Sequence, residues 1–186
     1  MSPESDLPAS EGSDEAYFDR NQGTGRSFDG RLLREPLSVL PTQAPLLFGP
    51  GDFVNGAMRS MQKHHRGCVL ITEDGTKHSS LVGIFTERDV LNKIIGQGKN
   101  PAVLRLDAVM VADPETLPLA ASVAWVLNKM SVGGFRHVPV VDEEGHLAFV
   151  VSVRDIVQFL VEAFPSEILN LPPEYGAAHP QQREGA

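Results

Sequence analysis

The chain contains an internal repeat, and this feature limits its possible folds more than any other. Compared with itself at an offset of 69 residues, the chain aligns apolar and strand-forming positions: Val54 with Val123, Met61 with Met130 and Cys68 with His137. Further along the offset becomes 66, and residues 83–90 then align with 149–156. The change falls within residues 73–80, where we expect a longer surface loop in the first copy because such loops tolerate insertions.

Each copy begins with a predicted amphipathic helix, covering about residues 52–63 in the first copy and 122–130 in the second. Apolar residues at spacings of three and four lie on one face of each, which indicates a helix with one buried side. Two strand-forming runs around a glycine-bearing turn follow and predict a hairpin. The strands are expected at these positions: 68–72 and 81–85 in the first copy, 137–141 and 147–151 in the second.

A second helix closes each copy, at about residues 87–95 and 153–164, and a short leading strand is expected near 46–48 and 116–117. A copy of about 60 residues buries too little surface to be stable alone. We therefore predict an α+β fold in which the two copies pack through their sheets as one pseudo-two-fold module. The predicted organisation is a mobile arm, two repeats and a tail: residues 1–36, 37–105, 106–165 and 166–186.

Charge and composition narrow the function. The net charge of -8 argues against general nucleic-acid binding, which needs a basic surface. The single cysteine, Cys68, excludes an intramolecular disulfide and fits a reducing compartment. The acidic start lacks the basic and apolar regions of a secretory signal, and no apolar run approaches the ~20 residues of a membrane helix. We expect a cytoplasmic protein that does not enter a membrane.

The most informative segments are Thr86-Glu-Arg-Asp89 and Ser152-Val-Arg-Asp155, each of which follows an apolar strand and opens a helix. One interpretation is structural. A hydroxyl residue three positions before an acid is typical of a helix N-cap, and the helix dipole favours the acid in the first turn. A lone copy of the pattern would favour this interpretation.

The same segments also have a functional interpretation. The free N–H groups of a helix N-terminus attract phosphate, and Thr86 or Ser152 can add a hydroxyl donor. A guanidinium at Arg88 or Arg154 can form a charge-assisted contact with phosphate. An acid such as Asp89 or Asp155 can accept hydrogen bonds from both hydroxyls of a ribose.

The duplicated segments resemble the cystathionine-β-synthase (CBS) domain family. Gly83-Ile-Phe-Thr-Glu-Arg-Asp-Val resembles the end of one CBS domain. His137-Val-Pro-Val-Val-Asp followed by Val150-Val-Ser-Val-Arg-Asp-Ile resembles a second one, and Ala108-Val-Met-Val-Ala-Asp-Pro-Glu-Thr-Leu resembles the entry into it. The resemblance covers about residues 40–165.

The resemblance implies a regulatory module without catalytic activity. Such modules commonly hold AMP, ADP, ATP or S-adenosylmethionine as a regulatory ligand, need no cofactor, and often associate as homodimers acting on a protein target. By position, Asp89 and Asp155 would bind ribose, and the hydroxyl and basic residues of the motifs would meet phosphate. The implied nucleotide-binding residues are Thr86, Arg88, Asp89, Thr116, His137, Val138, Pro139, Ser152, Arg154 and Asp155, with Gly67, Cys68 and Val69 from the first copy.

Departures from the family pattern leave an alternative open. The first copy has Cys68-Val-Leu where the second has a His-x-Pro segment, and Phe149 is bulky enough to narrow the cleft. The second site, which keeps Thr116 and the His-x-Pro segment, is therefore favoured. The alternative function is a ligand-free dimerisation or interaction scaffold.

Cysteine or metal chemistry is disfavoured. Cys68 in a predicted strand, downstream of His64 and His65, permits a cysteine nucleophile, but an inert buried thiol is the expectation. No histidine spacing resembles a structural zinc site, so no metal is expected.

Overall fold

The computed structural model describes residues 30–165. Three short 3-10 turns within this range lie at Leu32–Arg34, Leu37–Val39 and Leu106–Ala108. Most of the predicted arm (residues 1–29) and the predicted tail (166–186) lie outside the described residues. Within residues 30–165, no helix is both long and apolar enough to span a membrane.

A four-stranded sheet carries the first copy. Its strands lie in the order β1-β2-β3-β4, with β1 and β2 parallel and the other pairs antiparallel. The bounds are β1 Leu47–Phe48, β2 Cys68–Thr72, β3 Leu81–Thr86 and β4 Val111–Ala112. The predicted hairpin is present, with Cys68 opposite Thr86.

The second copy repeats this arrangement in a three-stranded sheet of order β5-β6-β7, in which β5 and β6 are parallel and β6 and β7 antiparallel. The bounds are β5 Leu117–Pro118, β6 His137–Val141 and β7 Leu147–Ser152. His137 lies opposite Ser152, as Cys68 lies opposite Thr86 in the first copy.

The helices begin and end where local chemistry dictates. They are α1 Val54–His64, α2 Glu87–Asp89, α3 Val123–Gly133 and α4 Val153–Ala163. The helices α1 and α3 both end in a residue with left-handed backbone, His65 and Gly134, which is a common helix stop. The predicted helix at 87–95 is present, but after one α-helical turn it widens into a π-helix at Val90–Ile95.

The hydrophobic cores cross the sequence boundary between the copies. The core beneath the first sheet includes Leu106 and Val109, which lie at the start of the second copy. The core beneath the second sheet includes Leu37 and Leu40, which lie at the start of the first copy. Strand β4 likewise joins the first sheet although it follows residue 106. The boundaries predicted at residues 37 and 106 mark where each repeat of the sequence begins. The hydrophobic core of each copy also contains the first residues of the other copy.

The two sheets also pack against each other, as predicted. A third cluster joins Cys68, Leu70 and Ile84 of the first sheet to Leu147 of the second, with Val150 packed against it. An isolated antiparallel bridge pairs Ser80 with His146 at the ends of the two hairpins. This contact between the sheets confirms the predicted α+β module of two repeats.

Residues 37–40, which pack in the core beneath the second sheet, are expected to contribute strongly to stability. Leu37 is fully buried in the second core, so Leu37→Ala should lower the free energy of unfolding by about 2–5 kcal/mol. Val39 in the same turn is 42% exposed, and Val39→Ala should change it by less than about 0.5 kcal/mol. Urea unfolding of both variants measures the two free energies of unfolding. Equal small decreases would contradict the packing of Leu37 in the core beneath the second sheet.

Candidate functional site

The duplicated motif forms the same reciprocal hydrogen bonds at both strand-to-helix junctions. In the second copy, the backbone N–H and the hydroxyl of Ser152 each donate to Asp155 Oδ2 at 2.7 Å, and the Asp155 N–H donates to Ser152 Oγ at 3.3 Å. In the first copy, Thr86 donates to Asp89 Oδ2 at 2.9 Å from its N–H and 2.6 Å from its hydroxyl. The structural interpretation of the motif is therefore correct in both copies: each forms a capping box.

These boxes leave different groups available for a ligand. Each hydroxyl proton points at its own carboxylate, so Thr86 and Ser152 are not free phosphate donors in this arrangement. Both aspartates are buried, at 8% and 7% exposure. Their second oxygens differ: Asp89 Oδ1 pairs with Lys93 Nζ at 2.8 Å, whereas Asp155 Oδ1 has no hydrogen-bond partner within residues 30–165.

The larger of the two cavities beside these junctions, which we call the Asp155 cavity, has a volume of about 380 Å³. Its walls come from both copies. The second copy contributes residues 136–137 and the β7–α4 junction from Val150 to Asp155. The first copy contributes residues 43–46 and 64–68, which include the end of α1 and the start of β2. This volume lies within the usual range for ligand pockets.

The Asp89 cavity, of about 260 Å³, lies beside the corresponding junction of the first copy. Thr86, Glu87, Arg88 and Asp89 line it together with the 134–137 segment and Pro139 of the second copy. Pro114 and Glu115 of the segment between the copies complete the wall.

The structure groups the predicted residues differently from the sequence. Asp155, Arg154 and Ser152 face Gly67 and Cys68 of the first copy. Of the residues that favoured the second site, His137 lines both cavities, Pro139 lines only the Asp89 cavity and Thr116 lines neither. Only Gly67, Arg136 and His137 are common to the two cavity walls.

Four of the singled-out residues line neither of these two cavities. Val69 and Val138 are buried in the hydrophobic cores, one in each copy. Thr116 is half-buried and lies next to Glu115 without lining a cavity wall. Phe149 packs against the second core, so its ring does not narrow either cleft.

Three guanidinium groups surround the Asp155 cavity, from Arg66, Arg136 and Arg154. Asp155 supplies the one carboxylate of the wall. Within residues 30–165 none of the three arginines forms an ion pair, and Arg66 donates only to the carbonyl of Ala44 at 3.4 Å. A concave wall with unpaired guanidinium groups favours an anionic ligand, because these groups match the geometry of phosphate oxygens.

Burial favours the uncharged forms of Cys68 and His137. Burial raises the pKa of the Cys68 thiol to about 12; Arg66 lowers that pKa, and Asp155 and Glu87 raise it. Burial lowers the pKa of His137, which Asp155 partly offsets. Because the thiolate is the reactive form of cysteine, this environment disfavours a Cys68 nucleophile.

One group of potential metal ligands occurs within residues 30–165, and it has a structural explanation. Asp142, Glu144 and His146 lie together in the β6–β7 turn. Asp142 Oδ1 accepts from the backbone N–H of Glu144 at 3.1 Å and of His146 at 2.8 Å. The carboxylate therefore closes the hairpin as an Asx turn.

Sequence reasoning missed Arg66, Arg136 and Lys93. Arg66 and Arg136 each stand at a loop-to-strand junction, but they occupy different positions in the repeat, so no duplicated pattern identified them. Lys93 lies four residues after Asp89, and that spacing on a helix was the available signal for their ion pair.

Comparisons with known proteins agree with the fold. The CBS domain family model matches residues 37–96 and 106–162. The CBS domain-containing protein CBSX3, mitochondrial, of Arabidopsis thaliana is 30% identical over 122 residues, which are 64% of this chain and 58% of that protein. CBSCBSPB1 of the same plant is 32% identical over 134 residues, or 70% of this chain and 24% of the relative. The chain thus spans less than two thirds of these curated relatives.

Solved structures show the same architecture. A CBS domain protein of Pyrobaculum aerophilum complexed with AMP has a TM-score of 0.61 at 23% identity, covering 69% of this chain and 97% of the other. The CBS domain pair of protein MJ0100, in complex with 5'-methylthioadenosine and S-adenosyl-L-methionine, has a TM-score of 0.60 at 23% identity, covering 69% and 98%. Since the family model matches more than half of the sequence in two successive copies, this chain belongs to the CBS domain family.

Proposed function

We propose that this chain is a regulatory module that binds a phosphorylated adenine nucleotide in the Asp155 cavity. One observation carries the proposal: three guanidinium groups without ion pairs surround a cavity whose buried carboxylate keeps one oxygen without a partner. Arg136 and Arg154 are exposed and Arg66 is half-buried, so their N–H donors are accessible to a ligand in the cavity. A ligand with an anionic end and a hydroxylated end would satisfy both these donors and the free oxygen of Asp155.

The proposed binding mode assigns one part of the nucleotide to each part of the wall. Asp155 Oδ1 accepts from a ribose hydroxyl, while the capping box fixes the carboxylate through Oδ2. Arg154 in the first turn of α4, with Arg66 and Arg136, binds the phosphates. The apolar walls formed by Leu46 and Val150 receive the base.

We infer an adenine base from the ligands of related structures, and a preference for phosphate from the arginines of this chain. The two related structures are complexes with AMP and with 5'-methylthioadenosine and S-adenosyl-L-methionine, and these three ligands share an adenosyl group. The three arginines of this chain favour a phosphate and disfavour the positive sulfonium of S-adenosylmethionine. We therefore infer AMP, ADP or ATP as the ligand, with affinity rising with phosphate number.

A nucleotide in this cavity would act by holding the two copies in one relative placement. The wall includes the end of α1 in the first copy and the β7–α4 junction in the second. A ligand that contacts both stabilises the placement that fits it best, and a protein target can then distinguish bound from free modules. No covalent chemistry is required of the wall residues.

A second candidate function, the dimerisation scaffold, is favoured by exposed apolar side chains on equivalent helix faces. Leu91 and Ile95 after α2 are 61% and 64% exposed, and Val153 and Val157 on α4 are 43% and 53% exposed. Leu91 and Val157 are equivalent in the repeat at the offset of 66. We propose that these two faces form a self-complementary surface for a homodimer, which is compatible with nucleotide binding.

Ligand-dependent thermal stability tests the nucleotide proposal. At about one hundred times its dissociation constant, a nucleotide should add about 2.7 kcal/mol, which raises the Tm by roughly 5–10 °C for a chain of this size. The panel compares adenosine, AMP, ADP, ATP, GMP and S-adenosylmethionine. We expect ATP and ADP to stabilise most and adenosine least. A panel without any stabilising ligand would leave the scaffold as the function.

A matched pair of arginine variants tests the location of the phosphates. Arg154 and Arg88 are exposed residues at the same position of the two helices, but they line different cavities. Arg154→Gln should weaken ADP binding about ten- to hundredfold, because it removes a charge-assisted hydrogen bond worth about 1.5–3 kcal/mol. Arg88→Gln should change the affinity less than twofold. Equal losses in titration calorimetry of both variants would contradict this location.

Self-association tests the exposed helix faces. The double variant Leu91→Glu/Val157→Glu places like charges on both faces and should convert a dimer into a monomer in light scattering after size-exclusion chromatography. The control Val103→Glu introduces a single carboxylate at a 72% exposed position outside α4 and the segment after α2, and should leave the dimer intact. A wild-type chain that is monomeric at micromolar concentration would refute the homodimer.

A further inference from the structure

The two cavities differ in whether the carboxylate at the capping box is already paired. Lys93 Nζ lies 2.8 Å from Asp89 Oδ1 and also donates to the carbonyl of Val109 at 2.7 Å. Since Thr86 donates twice to Asp89 Oδ2, both oxygens of this buried carboxylate have partners within the protein. A ribose in the Asp89 cavity would have to compete with an ammonium group already in place.

The second copy has no equivalent of this ion pair. The residue four positions after Asp155 is Phe159, which packs against the second hydrophobic core. An aromatic ring cannot pair with a carboxylate as an ammonium does, and Asp155 Oδ1 keeps no partner within residues 30–165. The equivalent positions 93 and 159 therefore give the two cavities different carboxylates: Asp89 Oδ1 is paired with Lys93, whereas Asp155 Oδ1 can accept a hydrogen bond from ribose.

The remaining charges of the Asp89 cavity do not favour a nucleotide either. Glu115 is held in an ion pair with Lys129. Glu87 Oε2 lies close to Gly67, which lines both cavities: a Cβ added to Gly67 would be 3.5 Å from this oxygen. A carboxylate at this place repels phosphate and offsets the attraction of Arg88. The cavity volume, about 260 Å³, is also below the usual range for ligand pockets.

From these contacts we propose that each chain binds a single nucleotide, in the Asp155 cavity, and that Lys93 excludes ribose from the Asp89 cavity by holding its carboxylate. This inference rests on the proposed function, because it describes which of two related clefts that function uses. Lys93 acts through Asp89 and is thus a specificity-determining residue. It also leaves the shared Arg136 available to the phosphates in the Asp155 cavity.

Titration calorimetry with ADP tests the proposal through stoichiometry. The wild type should bind one ADP per chain, Asp155→Asn should lose binding, and Asp89→Asn should still bind one. These two aspartate variants remove equivalent capping carboxylates, so each controls for the loss of stability in the other. Lys93→Met frees Asp89 Oδ1 and should raise the stoichiometry to two, with the second ADP bound more weakly because Glu87 remains in that wall, and adding Asp89→Asn should return the value to one. Lys93→Arg keeps the ion pair and should remain at one.

The possible contradictions are separable. Two ADP per wild-type chain, falling to one in Asp89→Asn, would overturn the single-site inference and leave the proposed function intact. A folded Lys93→Met variant that stays at one site would overturn the role of Lys93. If Lys93→Met has a lowered Tm and fails to fold, the shorter uncharged Lys93→Gln takes its place with the same expected result. The absence of ADP binding in every variant would refute the proposed function itself.

The reciprocal exchange provides an independent test. Phe159→Lys places an ammonium four residues after Asp155, where it can form the ion pair seen at Lys93. We expect this variant to lose ADP binding at least tenfold, whereas Phe159→Leu, which removes the ring without adding a charge, should lose less than threefold. Equal losses in the two variants, with matched Tm values, would assign the effect to packing and overturn the proposal.

Discussion

The structure depends on a reciprocal hydrogen bond between the last residue of a strand and the third residue of the following helix. Asp155 fixes the β7–α4 junction in this way, and Asp89 fixes the junction between β3 and α2. Because the bond uses one carboxylate oxygen, a buried acid is held in place while the other oxygen can face a cavity. A capping device worth about 1 kcal/mol to the helix thus also orients the acceptor on which the proposed ligand contact relies.

The crossed packing of the two repeats decides which residues meet at each cavity. Leu37 and Leu40 pack beneath the second sheet, while Leu106 and Val109 pack beneath the first. Neither repeat has a complete core without its partner, and each cavity combines the capping junction of one copy with the strand entry of the other. A ligand in either cavity would therefore contact both copies, which would give binding a physical route to their relative placement.

Local features of the fold were predictable from the sequence, and the composition of the cavities was not. The strand β2 and the hairpins follow from apolar runs around glycine turns, and the duplicated Ser/Thr-x-Arg-Asp pattern identified both capping boxes. The grouping of Asp155 with Cys68 depends on tertiary packing between distant segments, which no local pattern encodes. The difference between the two cavities was also not predicted, because Lys93 and Phe159 lie outside the matching segments of the repeat. The structure is needed to show that equivalent aspartates have different neighbours.

A crystal structure of the chain grown with ADP would show whether the Asp155 cavity holds the nucleotide while the Asp89 carboxylate stays paired with Lys93. We expect ribose hydroxyls on Asp155 Oδ1, phosphates among Arg66, Arg136 and Arg154, and an intact Lys93–Asp89 ion pair beside an ADP-free Asp89 cavity. ADP bound to Asp89 with Lys93 displaced, and the Asp155 cavity without ligand, would contradict this expectation.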